Sequence, residues 1–187
     1  MKDKNHGTYC LSGHVSVTKN LTVAIYLLAM ILYSTAFAEE RDEYAMLNLT
    51  VGEIDAIRGD NGSRQYGIEY RFKSFSGPWS FRLRPAIGFT VANDSAKYFY
   101  SDLKHDFYLN DYWLLTPSFG AGFFKDSSEI KLGSDFEFRS GLEFAYQFKN
   151  KVRAGIAIFH ISNAGLSDRN PGTEVLAFSL SIPMNSD

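Results

Sequence analysis

Three side chains near the carboxyl end have the types needed for acyl transfer. His160 and Ser162 stand two residues apart, and Glu174 follows twelve residues after the serine. A serine hydroxyl is a weak nucleophile and needs a base to take its proton. An imidazole serves as that base when a carboxylate fixes its tautomer and stabilises its cation. Ester cleavage also needs donors for the developing oxyanion. Asn163 and Asn170, with the backbone around Ala164 and Gly165, lie in the adjoining segment. A bare His-x-Ser is a weak signal, and three polar residues capping two strands would look the same. What decides is whether the surrounding elements bring them together.

Those elements are strands. Along residues 136–148, Phe136, Phe138, Leu142, Phe144, Tyr146 and Phe148 share one parity, broken only by Ser140, while Glu137, Arg139, Gly141, Glu143 and Gln147 share the other. Alternation with period two marks a strand with two unlike faces. Residues 80–91, 112–124 and 66–72 repeat it, and weaker strands fit 44–52, 97–108, 152–162 and 174–182. Short connections (74–78, 109–111, 149–151) alternate with longer or more polar ones (52–63, 93–96, 125–135, 163–173). Eight strands joined in this way predict an all-β fold, an eight-stranded antiparallel transmembrane β-barrel of the outer membrane.

The choice of faces follows from size. Aromatics make up 16% of the chain, with 16 Phe and 11 Tyr, and need somewhere to go. An eight-stranded barrel has a narrow, side-chain-filled interior. The small and charged parity fits inside, where Arg82, Arg84, Glu137, Arg139 and Glu143 can pair. A soluble barrel of lipocalin type, with the rings inward, would be overfilled. On 152–162 the outward parity runs Val152, Ala154, Ile156, Ile158, then His160 and Ser162. On 174–182 it runs Glu174, Leu176, Phe178, Leu180 and Ile182. The trio therefore faces lipid. If Ser162 lies opposite or near Glu174, their Cβ atoms are about 4.5–8 Å apart. With the amino terminus inside, the loop 163–173 lies outside and the trio sits at the external rim. A charge costs about 0–1 kcal/mol there, against roughly 2–4 at midplane.

Residues 1–38 read as a signal peptide. Lys19 precedes an apolar run from Leu21 to Tyr33, and Ala36-Phe37-Ala38 is an A-x-A cleavage site. Residues 39–187 are then the barrel. Cleavage removes Cys10, the one cysteine, and leaves His105 and His160 as the only histidines. That set is too small for a zinc site of His/Cys type. With 19 basic and 21 acidic residues, the net charge of −2 argues against a nucleic-acid binder. His105 is expected to be solvated near a periplasmic turn, and 125–135 to be a solvated loop. Trp79, Trp113, Tyr98 and Tyr100 read either as girdle residues or as packing residues. Asn48-Leu49-Thr50, a glycosylation-like triplet, lies inside an expected strand.

The string His160-Ile161-Ser162-Asn163-Ala164-Gly165, followed by Asn170-Pro171-Gly172-Thr173-Glu174, resembles the PagL family of lipid A 3-O-deacylases. The likeness is specific over about 136–183 and rests on pattern alone before that. It implies an outer-membrane enzyme that hydrolyses the 3-O-linked acyl chain of lipid A, releasing a 3-hydroxy fatty acid. In that reading Ser162 is the nucleophile, His160 the general base and Glu174 its orienter. Asn170, with Asn163 and the Gly165 backbone, forms the oxyanion site. No metal or cofactor is implied. The partner is lipopolysaccharide in the outer leaflet, with a homodimer left open. The competing readings are a non-catalytic structural or adhesin-like barrel and a soluble periplasmic lipid carrier. The chain's terminal Ile182-Pro183-Met184-Asn185-Ser186-Asp187 lacks the terminal aromatic many such barrels carry.

Overall fold

The computed structural model describes residues 44–57, 62–76 and 82–184. The expected leader, with Cys10, lies outside the described residues, and so does Trp79. Ten strands follow one another: β1 Ala45–Ile54, β2 Ser63–Arg71, β3 Phe75–Ser76, β4 Arg82–Ala92, β5 Lys97–Lys104, β6 Phe107–Tyr108, β7 Trp113–Lys125, β8 Phe136–Gln147, β9 Arg153–Ser162 and β10 Thr173–Met184. β3 and β6 are two-residue pieces that extend the neighbouring hairpins. The other eight form the ring β1-β2-β4-β5-β7-β8-β9-β10, which β10 closes by pairing with β1. Every pairing is antiparallel. Closure leaves no unpaired edge, which is what a strand structure in lipid requires.

All eight expected strands are present. The one split is in 97–108, where His105 and Asp106 turn inward between β5 and β6. His105 is therefore buried rather than solvated. Its Nδ1 lies 2.8 Å from the Arg82 carbonyl, and its ring meets Phe107 edge-on.

The faces divide as the parity requires. Phe119, Phe123 and Phe178, each more than 60% exposed, stand on the outer wall with the other large apolar side chains. The lumen is polar and full. Arg71 bridges Glu69 and Glu143 at 2.7 Å each, Lys104 contacts Glu69 and Asp102, and Arg153 pairs with Asp106 at 2.6 Å. Arg139 pairs with Asp102 and lies between the rings of Tyr100 and Phe159, at 4.0 and 3.6 Å. Gly141 is the gap that admits Phe159, since a Cβ there would overlap the ring.

Two expectations change, and one left open is decided. Tyr98 and Tyr100 are lumen residues, stacked on each other, with the Tyr100 hydroxyl donating to Glu69. They pack rather than form a girdle. Glu137 faces inward but makes no ion pair among the described residues, and Arg82 reaches Ser74 at the turn instead of the other lumen charges. The segment 126–135 is not simply solvated. Ile130 and Leu132 are buried and join the apolar cluster with Phe124, Phe159 and Ile161 that closes the outer end of the barrel. Asn48 is buried in the lumen, accepting a hydrogen bond from Ser181.

Candidate active site

β9 and β10 carry the three residues of interest, and their register sets the geometry. His160 and Glu174 are direct partners across the ladder. Both share the outward parity with Ile156, Ile158, Leu176 and Phe178. The imidazole Nδ1 lies 3.2 Å from Glu174 Oε1. An ionised carboxylate only accepts, so Nδ1 carries the hydrogen and Nε2 presents its lone pair. His160 is about half exposed, while Glu174 is largely covered. The pair therefore offers a basic nitrogen to the outside with its orienting carboxylate shielded behind it.

Ser162 also points outward, two residues beyond His160, so their Cα atoms stand about 6.6 Å apart along the strand. It lies diagonal to Glu174 rather than directly opposite it, one of the two placements the parity allowed. The ladder runs Thr173 against Ile161, which puts Gly172 beside Ser162. Among the described residues no hydrogen bond joins Ser162 Oγ to His160. The carboxylate–imidazole contact is made, and an imidazole–hydroxyl contact is not. Catalytic hydrogen bonds are often long before substrate binds.

Gly172 shows which way the ring leans. Its φ is +62°, and a Cβ built on it would sit 3.0 Å from His160 Cε1 and 3.5 Å from Nε2. The basic edge of the ring therefore reaches along the strand towards the Ser162 row, over a position left open by the missing side chain. Gly172→Ala is expected to push the ring away and to strain the backbone, costing about 1 kcal/mol or more in local stability. The check is catalytic rate against unfolding midpoint: a large loss in rate with a small shift in midpoint is the expected pattern.

The loop 163–172 has its own architecture. Asn163 is fully buried. Its Nδ2 donates to the Leu132 and Arg169 carbonyls, and its Oδ1 accepts from the Gly165 N–H at 3.0 Å. The Leu166 N–H returns to the Asn163 carbonyl, closing a turn whose central residues, Ala164 and Gly165, both have positive φ. Such a turn suits glycine and strains alanine. Asn163 and the Gly165 N–H are thus engaged in holding the loop, not free to meet an oxyanion. Asn170 differs. Its Oδ1 accepts from the Asn163 N–H at 3.1 Å, which orients the side chain, and the residue is exposed. Ser167 adds a bond to the Gly133 carbonyl. The loop therefore rests on the neighbouring segment 126–135, whose Ile130 and Leu132 are buried beneath it.

Ser140 and Phe138 were not singled out as site residues. On β8, Ser140 is paired directly with His160, and Phe138 with Ser162. Ser140, His160 and Glu174 thus form one polar row across three strands. The break that Ser140 makes in an otherwise apolar outward parity was the available signal. Among the described residues, no three His, Cys, Asp or Glu side chains gather as a metal site would need.

The model of one family, described as lipid A 3-O-deacylase (PagL), matches residues 64–183. The chain belongs to the PagL family. Among solved structures, the crystal structure of the outer membrane enzyme PagL superposes with a TM-score of 0.58 at 21% identity, covering 74% of this chain and 99% of that one. A de novo designed transmembrane β-barrel matches at TM-score 0.49 and 14% identity, over 78% of this chain and 99% of the design. The outer membrane protein Ail of Yersinia pestis matches at 0.42 and 16%, over 74% of this chain and 99% of Ail. A search of curated proteins finds no match. The family match spans the lipid-facing row just described and the barrel strands from β2 onward. With the closed barrel and its apolar outer wall, it makes this a PagL-type barrel of the outer membrane.

Proposed function

We propose that the chain is a serine esterase that hydrolyses the 3-O-linked acyl ester of lipid A. The observation that carries this reading is the His160–Glu174 pair, 3.2 Å apart, on the lipid-facing wall at the outer end of β9 and β10. A soluble substrate would have no reason to be met there. An acylated lipid of the outer leaflet presents its ester at that level.

The chemistry follows from the residues. His160 Nε2 takes the proton from Ser162 Oγ as the oxygen attacks the ester carbonyl. Glu174 holds the ring and offsets the imidazolium charge. The tetrahedral oxyanion meets Asn170 Nδ2, whose orientation is set through the bond its Oδ1 accepts. The imidazolium then protonates the leaving sugar oxygen, leaving an acyl-serine. Water, deprotonated by Nε2, cleaves it and releases a 3-hydroxy fatty acid with Ser162 restored.

In cells expressing the chain, lipid A is expected to lose the mass of one 3-hydroxyacyl group. An unchanged lipid A profile, with the barrel folded in the outer membrane, would leave a non-catalytic barrel as the better reading. Glu174→Ala removes the orienting carboxylate while leaving the base. Initial rates on purified lipid A are expected to fall by about 10²–10⁴-fold. Its effect should appear in kcat, because the carboxylate acts on the imidazolium that forms during the reaction.

A further inference from the structure

The outer rim carries a second chemistry away from the triad. Lys97 opens β5 and Lys125 closes β7, and the two are direct partners in the ladder. Both are exposed on the outward parity. Like charges placed opposite one another on adjacent strands repel. The carboxylates nearest them in sequence, Asp94 and Asp126, hydrogen-bond to neutral groups, and among the described residues they form no ion pair with either lysine. Asp94 accepts from Ser127 Oγ and the Ala96 N–H, and Asp126 from the Leu132 N–H. Among the described residues no ion pair neutralises either lysine.

Directly below them on the same face lies a rung of exposed rings. Phe99 pairs with Phe123, and Phe123 with Phe136. Aromatic rungs mark the interface of an outer-membrane barrel, and lysine stems lie along apolar surface with the ammonium lifted into the polar layer. Two unneutralised ammonium groups are thus held side by side at headgroup level.

We propose that Lys97 and Lys125 form a phosphate-binding subsite for a phosphorylated lipid of the outer leaflet. The register suggests whose phosphate it takes. The Ser162 row crosses β8 at Phe138 and β7 at Ala121. Lys125 lies four residues further out on β7, about 13 Å along the strand and about 10 Å across two strand spacings, roughly 16 Å in all. That exceeds the span of one sugar ring and suits a disaccharide headgroup. The phosphate is then the one on the sugar distal to the ester being cut. This assignment of source rests on the proposed function; the phosphate subsite itself does not.

Native mass spectrometry of the full-length chain in detergent tests the proposal, with Ser162→Ala as the parent so that nothing is turned over. The probes are lipid A with both phosphates, lipid A lacking the distal phosphate, and phosphatidylglycerol. Lys97→Gln/Lys125→Gln is expected to weaken binding of bisphosphorylated lipid A roughly tenfold or more. It should leave binding of lipid A without the distal phosphate unaltered, and Lys97→Arg/Lys125→Arg should bind as the parent does. A loss equally large with phosphatidylglycerol would support the subsite and make a neighbouring lipid its occupant. Equal binding of every probe by the Gln variant and its parent would overturn the proposal. Equal weakening of bisphosphorylated lipid A and lipid A without the distal phosphate would overturn the assignment to the distal phosphate. Because binding is read without hydrolysis, failure here is distinct from failure of the esterase reading.

Discussion

Ser162→Ala is expected to reduce hydrolysis of lipid A by at least about 10⁴-fold while leaving the barrel as stable as before. On the proposed mechanism the alanine removes the only atom that forms the acyl-enzyme bond. What rate persists comes from substrate binding and the oxyanion donor, with water attacking directly. The fold does not depend on the hydroxyl. Ser162 ends β9 at the rim, its side chain is half-buried, and its backbone pairing with Phe138 survives the change. Substitutions away from buried networks usually shift stability by no more than about 0.5 kcal/mol. The measurement pairs initial rates on purified lipid A with heat-modifiable migration of the folded barrel. A second feature sharpens it. Nucleophile and base act as one unit, so Ser162→Ala/His160→Ala should be no slower than either single variant. Retention of a tenth of the parent's activity by Ser162→Ala would remove the serine from the mechanism.

The direction in which these residues face was legible in the sequence because strand parity is a strict code. A shift of one residue would have turned His160, Ser162 and Glu174 into the lumen. The row of apolar partners, Ala154 to Ile158 and Leu176 to Ile182, fixed the choice, since side chains of that size on every strand cannot fit inside eight staves. The pairing of His160 with Glu174 was less accessible. It depends on the register across a ten-residue connection, and parity alone leaves open whether Ser162 sits opposite Glu174 or diagonal to it; the ladder makes it diagonal. The loops were least legible. Asn163 looks like a free amide until its two acceptors, the Leu132 and Arg169 carbonyls, are known, and these come from different segments. The same holds for 126–135. Its acidic and basic residues suggest solvent, whereas Ile130 and Leu132, two apolar side chains among them, decide where it goes. Tyr98 and Tyr100 were ambiguous for a related reason. Their phenol rings suit an interface, but β5 places them inward, where the Tyr100 hydroxyl finds Glu69.

The lumen is where the largest effect on stability is expected. Arg139 pairs with Asp102, lies 3.9 Å from Glu69 and is stacked between Tyr100 and Phe159. Arg139→Leu leaves Asp102 to Lys104 alone and takes one cation from Glu69, which keeps Arg71 and Lys104. Removing one member of a buried network while its counter-charges remain costs about 3–5 kcal/mol. The urea midpoint should fall with the slope unchanged. Asp102→Asn in the same chain should recover part of the loss, since it removes the charge that Arg139 no longer meets. That recovery separates an electrostatic cause from lost packing against the two rings, which Asp102→Asn cannot restore. The consequence reaches the outer wall. Arg139 sits on β8 between Phe138 and Ser140, the residues that face Ser162 and His160 across the ladder. A strand loosened from inside lets that row move relative to β9. Arg139→Leu is therefore expected to lower activity even at urea concentrations where the barrel is still folded, whereas Arg153→Leu, at the periplasmic end of β9, should cost stability without that early loss. An Arg139→Leu barrel with the parent's midpoint would mean that the lumen charges contribute nothing net, and that the alignment of the outer row is set by the ladder alone.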